Sequence, residues 1–150
     1  MIDAVKLYRI ANWLWRHNVP ILPRVIQGVI FLLYNSYVPY SCAIGNGSSF
    51  GYGGIGVVIH QRARIGDYVV IGSGVTIGGR SGAMQVPRIG NHVYISTGAK
   101  ILGDLELGDY VIVGANAVVI QSVSSGSVVA GVPAKIIKSG VTPEQFSKMT

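Results

Sequence analysis

A chain of 150 residues and 15.9 kDa has room for one folding unit. Only 12% of residues are charged and 21 are glycine, which excludes disorder and coiled coil; six prolines, without glycine at every third position, exclude collagen. The net charge of +6 divides into +3 within residues 1–40 and +3 beyond, with no basic cluster or stripe, so it does not imply nucleic acid, and an acidic small molecule or an anionic membrane surface fits it as well.

Residues 3–17 place Val5, Ile10, Trp13 and Leu14 among Lys6, Arg9 and Arg16, a spacing that predicts an amphipathic helix ended by Asn18 and Pro20. The apolar run at 25–34 is interrupted at Gln27 and Gly28 and is too short for a membrane span. It reads as a second helix buried against the main domain or a neighbouring subunit; the alternative is peripheral membrane contact of residues 1–40 through Trp13, Trp15, Tyr34 and the basic helix. Cys42 is the only cysteine and cannot close an intrachain disulfide, and no secretory leader pattern opens the chain, so a cytoplasmic location is expected.

From Ile44 onward a repeat takes over. Aliphatic residues fall every six positions at Ile59, Ile65, Ile71 and Ile77, then at Ile89, Ile95, Ile101, Leu107, Val113 and Val119. A small or aliphatic residue follows four positions later, as at Ala63, Val69, Val93, Ala99 and Val111, and glycine often follows directly, as at Gly66, Gly72, Gly90 and Gly108. Six is neither the helical period nor the strict alternation of a half-buried strand. It suits short flat strands joined by sharp turns, three to a coil, with aliphatic columns down the axis of a triangular prism. The expected class is therefore mostly β: a left-handed parallel β-helix of hexapeptide repeats with a short N-terminal helical segment. The expected division is a helical, apolar segment at 1–42, the β-helix at 43–138 and a tail at 139–150.

The repeat has two faults. Ile44 and Phe50 stand six apart but in another register, so one residue or more is inserted in Phe50-Gly-Tyr-Gly-Gly-Ile-Gly-Val-Val-Ile-His60. At 79–87 the texture vanishes and Ala83 fills the aliphatic slot, which predicts a loop extruded from the prism. Interruptions of a rigid scaffold are where function is most often carried, and the two are expected near each other.

The run Ile77-Gly-Gly, the unit Val93-Tyr-Ile-Ser-Thr-Gly-Ala-Lys-Ile-Leu-Gly103, the unit Val113-Gly-Ala-Asn-Ala-Val-Val119 and the ending Ala130-Gly-Val-Pro-Ala-Lys-Ile-Ile137 together resemble the serine acetyltransferase branch of the hexapeptide acyltransferases, over residues 43–138. The resemblance implies a homotrimer that binds acetyl-CoA in grooves between adjacent prisms and acetylates a hydroxyl or an amine. Tyr52 and Gly53 stand where that branch carries an aspartate-preceded catalytic histidine, and Gln85 and Val86 where it carries an Arg-His pair, so L-serine is not the expected acceptor. The Gly-Gly-Ile-Gly-Val-Val-Ile-His run and the short apolar N-terminus look more like the sugar O-acetyltransferases of capsule, exopolysaccharide or lipopolysaccharide synthesis, which makes a polysaccharide precursor the expected acceptor.

Acetyl transfer from a thioester needs a base for the acceptor proton and donors for the oxyanion. Of three histidines, His17 reads as a helix cap or surface residue and His92 as an exposed turn residue. His60 closes the inserted run and is the expected general base, against the alternative of a plain corner residue. Its orienting partner is expected to be a backbone carbonyl or a neighbouring subunit, because Asp67 falls on the next face. Tyr52 is expected to polarise the acceptor or line its pocket, and Arg80 and Ser81 of the loop to contact acceptor or CoA phosphates. Gly98-Ala99 and Gly114-Ala115 would admit a pantetheine arm, with Lys100, Lys135 and Lys138 for the phosphates. No zinc-ligand spacing or phosphate-binding loop occurs, so no metal is expected. Further alternatives are a serine acetyltransferase-like activity, N-acetyl transfer to an amino sugar and a non-catalytic trimeric scaffold.

Overall fold

A computed structural model describes residues 2–150. Helix α1, Ala4–Arg16, starts on the Asp3 side chain, which accepts the Lys6 N–H at 2.9 Å and so satisfies an orphan donor of the first turn. It buries Ala4, Val5, Tyr8 and Ala11, one face by spacing. Helix α2, Leu22–Tyr34, carries Pro23 in its first turn, where no amide is needed, and ends at Asn35 with φ 51. Between them Asn18 and Ile21 also have positive φ, 57 and 68, and at Ile21 a branched Cβ opposes that conformation. The expectation of a buried second helix holds only for Pro23 and Ile30, with Ile26 and Tyr34 packed at the margin. Leu22, Val25, Val29, Phe31, Leu32 and Leu33 are exposed.

The prism follows coil by coil. The first coil comprises β1 Ala43–Ile44, β2 Ser49–Phe50 and β3 Val58–Ile59; the second, β4 Arg64–Ile65, β5 Val70–Ile71 and β6 Thr76–Gly78; the third, β7 Arg88–Ile89, β8 Tyr94–Ile95 and β9 Lys100–Leu102; the fourth, β10 Glu106–Leu107, β11 Ile112–Val113 and β12 Val118–Val119. Then β13, Val128–Ala130, and β14, Lys135–Lys138, complete the sheet, and α3, Pro143–Met149, closes the chain. Strands β1, β4, β7 and β10 form the first face; β2, β5, β8, β11 and β13 the second, with β14 added antiparallel; β3, β6, β9 and β12 the third. Except for β14, every strand pairing is parallel, giving a solenoid of about four turns, as the hexapeptide period requires.

The six-residue frame is the core: Ile59, Ile71, Ile77, Ile95, Ile101 and Val113 are 0% exposed. Register accounts for both faults. The third-to-fourth coil spacing is 18 residues, from Tyr94 to Ile112, whereas Val70 to Tyr94 spans 24 and Ser49 to Val70 spans 21. The loop at 79–87 thus adds one whole hexapeptide and returns the chain to frame. The first insertion adds half of one, which puts Ile44 and Phe50 out of phase with the later columns.

At the edge between first and second faces, Asp67, Asn91, Asp109 and Ser125 each accept the backbone N–H of the coil before, at 2.7 to 2.9 Å. The residue after each of the first three is Tyr68, His92 or Tyr110, all with positive φ. Their rings stack at 5.0 and 4.9 Å, and Phe146 of α3 meets the last edge-on. His92 is therefore a half-buried rung of an aromatic ladder rather than a free turn residue. The signal was the recurrence of Gly-Asp-Tyr, Gly-Asn-His and Gly-Asp-Tyr at one place in the coil.

Candidate active site on the third face

The third face begins one rung earlier than the period indicates. Tyr37, returning from α2, bridges Val58 in parallel. Where this face turns into the first, a hollow of about 360 Å³ is lined by Tyr37, Val58, His60, Gln61 and Gly78, with Ile59 and Ile77 behind them. No charged side chain lines it. His60 is half-buried there; its N–H donates to the Ile77 carbonyl at 2.8 Å, which seats it directly over Gly78 and the root of the extruded loop.

The imidazole has a defined partner. Its Nδ1 accepts the Arg62 backbone N–H at 3.1 Å, so the neutral ring carries its proton on Nε2 and offers the hollow a donor. The orienting group is thus a backbone amide, not the expected carbonyl, and that amide withholds the lone pair a general base would need. Asp67 lies in the ladder of the first edge, away from this ring, as its place in the repeat implied.

The other expected residues divide between two edges. Arg80 and Ser81 lie exposed in the loop beside His60, and Arg80 packs over Gly103. Tyr52 lies at the opposite edge, between second and third faces, in a tight turn at Gly51–Gly54 whose central residues, Tyr52 and Gly53, are left-handed. It is 81% exposed with φ 52 and does not line the hollow, so the expectation that the Tyr52 run and the Arg80 loop shape one pocket within a chain is corrected. The turn is held from behind: Ser36 Oγ donates to the Gly54 carbonyl and accepts the Val57 N–H.

Tyr52 instead shares its edge with most residues singled out for CoA. Gly98-Ala99 and Gly114-Ala115 follow β8 and β11 at the turn from second to third face, in two successive coils. Gly98 has φ 75 and lies under the Asn116 side chain, which leaves no room for a Cβ; Ala99 is buried in the prism core, so it lines no groove and the expectation that it admits the pantetheine arm is corrected. The Lys100 ammonium donates to the Gly74 carbonyl at 2.6 Å, one coil earlier at the same edge. Lys135 starts β14 opposite Ala130, whereas Lys138, opposite Val128, is at the strand's far end and apart from the others.

Cys42 lies under α1, outside both edges. Burial pushes its thiol up to about 12 and does the same to the Tyr8 phenol, which donates to the Cys42 carbonyl. A thiol so protonated at neutral pH is no acyl carrier. Because both folded-state values are raised, the associated stability is complete below the ordinary values, 9.0 and 10.0, and is lost as pH climbs toward 12. Urea unfolding in pH steps is expected to show a plateau at neutral pH and a decline above about 9, by up to about 1.4 kcal/mol per pH unit for each group. Cys42→Ala should remove the thiol's share of it.

Residues 87–121 match the bacterial transferase hexapeptide (six repeats) family. Serine acetyltransferase of Synechococcus elongatus is 36% identical over 142 residues, covering 93% of this chain and 58% of its own length. That of Staphylococcus xylosus is 37% identical over 139 residues, covering 91% and 64%. Residues 87–121 therefore carry the repeat of the hexapeptide-repeat acyltransferase family. Within it, the serine acetyltransferase structure from Vibrio cholerae superposes with a TM-score of 0.87 at 34% identity, over 98% of this chain and 57% of that one. The Brucella abortus serine acetyltransferase solved with coenzyme A gives 0.84 at 32%, over 93% and 56%. This chain thus spans less than two thirds of the length of these relatives. They are named for serine, and the closeness to polysaccharide O-acetyltransferases expected from the Gly-Gly-Ile-Gly-Val-Val-Ile-His run finds no support among them.

Proposed function

We propose that the protein is an acetyl-CoA-dependent O-acetyltransferase for a small hydroxyl acceptor of the serine type, working as a homotrimer. The observation that carries this is the match to serine acetyltransferases across the whole prism, one of them a coenzyme A complex. The alignment of Gly98, Gly114, Lys100 and Lys135 along one edge agrees with it. Two edges of one face hold the two sets of residues, so a neighbouring prism would bring the Tyr52 edge of one subunit toward the His60 edge of the next.

As the acceptor oxygen bonds to the thioester carbonyl carbon the carbon–sulfur bond breaks, and the departing CoA sulfur itself serves as the base that takes the hydroxyl proton, leaving as the thiol. His60 acts through Nε2–H, holding the oxygen on which charge develops, while the Arg62 amide fixes the ring. Arg80 and Ser81 border the acceptor side. No metal enters the scheme; among the described residues none cluster as metal ligands.

A second acceptor class, a neutral sugar hydroxyl, is favoured by one observation: no charged side chain lines the hollow to meet an amino acid's ammonium or carboxylate. Thiol release from acetyl-CoA separates these readings. Release with L-serine, yielding an ester that hydroxylamine cleaves, is the expected result. Release only with sugars transfers the assignment to them, and an amide product identifies an amino acceptor. No release with any acceptor, and no calorimetric binding of acetyl-CoA, would sink the enzyme reading and leave a scaffold.

A further inference from the structure

Helix α2 buries little of its apolar surface. Along α2, Leu22, Val25, Val29 and Leu32 recur at helical spacing and are 45%, 52%, 37% and 82% exposed, with Phe31 and Leu33 beside them. Exposed Trp13 and Trp15 of α1, the chain's only tryptophans, lie near the hairpin turn. Ile21, 75% exposed, stands at that turn in a backbone conformation its branched side chain opposes. Sheltering this surface is worth more than leaving it in water.

Charge identifies the occupant. Residues 4–66 contain six basic side chains and no acidic one, whereas residues 67–150 hold six basic and five acidic. Arg16 and Arg24 flank the turn between the helices. A hollow of about 350 Å³ at the tip takes Trp15, Pro23, Arg24 and Tyr40 into its lining, an aromatic and cationic seat. A second copy of the hairpin would set these cations against their own kind, its one carboxylate, Asp3, being already engaged by Lys6 and the α1 N-terminus. An anionic surface supplies the missing charge, and tryptophan favours the boundary between headgroup and acyl chain. No helix among the described residues is long and apolar enough to cross a membrane, so the hairpin would lie on the surface.

We propose that the α1–α2 hairpin docks the protein on an anionic lipid bilayer, α2 inserting Leu32, Phe31 and Leu33 while Arg16 and Arg24 meet phosphate headgroups. This is independent of the acceptor and of the chemistry at His60.

The test is flotation of the full chain with vesicles of phosphatidylglycerol and phosphatidylcholine, or of phosphatidylcholine alone, at low and high salt. The protein is expected to float with the anionic vesicles, to bind the neutral ones at least tenfold more weakly and to be released by salt. Arg24→Gln should weaken binding about fivefold and Leu32→Glu tenfold or more. Circular dichroism and urea midpoints check that both variants fold, and should Leu32→Glu fail that check, Arg24→Gln decides. Failure of the wild type to float, or variants that bind as tightly as it does, overturns the proposal. So does a higher oligomer that Leu32→Glu dissolves, which would make the surface a contact between copies.

Discussion

Replacing His60 with alanine is expected to lower kcat for acetyl transfer about 10²- to 10³-fold, the usual cost of removing one donor from developing negative charge, with the solenoid intact. Two further substitutions separate a donor from a base. His60→Gln carries an amide N–H near the Nε2 position and should keep part of the rate, because it can donate. His60→Asn can still accept from the Arg62 N–H, the contact His60 makes through Nδ1 at 3.1 Å, but reaches no further, and should be as slow as alanine. A histidine base would be lost equally in all three. Full activity in His60→Ala would remove His60 from the site altogether.

The largest stability loss is expected from truncating the column behind that hollow. Ile101 is 0% exposed and pairs in register with Ile77 before it and Val119 after it. Each coil presents two or three residues per face, so no neighbour can move to fill a gap without breaking its own ladder. Ile101→Ala should therefore cost about 2–5 kcal/mol and Ile101→Val about 0.5–1.5, read as midpoint shifts in urea at unchanged slope. A loss below 1 kcal/mol for the alanine variant would show that the prism collapses onto cavities more readily than its ladder allows.

Much of the architecture was legible because a solenoid repeats one local decision. Ile59, Ile77 and Ile101 announce their column by spacing alone, and Asp3 and Pro20 mark where α1 starts and stops. Tyr37 was invisible because it joins the third face as a single bridge after a helix, where no period exists to extend. The length of each insertion, half a hexapeptide against a whole one, depends on which strands stack, and that is a pairing fact rather than a local one. For the same reason Tyr52 and Arg80, each at a break in the repeat, looked like neighbours until the faces were assigned and put them at opposite edges. The lone pair of His60 was equally hidden. Its partner is a main-chain amide two residues on, a group every sequence offers at every position.

Both ends of the prism are stoppered, and that bears on what the protein does in a crowded solution. At the start, Tyr8, Arg9 and Asn12 donate to the carbonyls of Cys42, Ile44, Gly45 and Tyr40, taking up acceptors that another coil would otherwise claim. At the finish, β14 runs back against β13 and leaves a short, lysine-flanked margin in place of a parallel rung. A stack of open coils is a template for indefinite end-to-end growth. The reversed strand and the helix laid across the first coil act as chain terminators, so fibre formation is blocked at both poles and the number of turns stays finite.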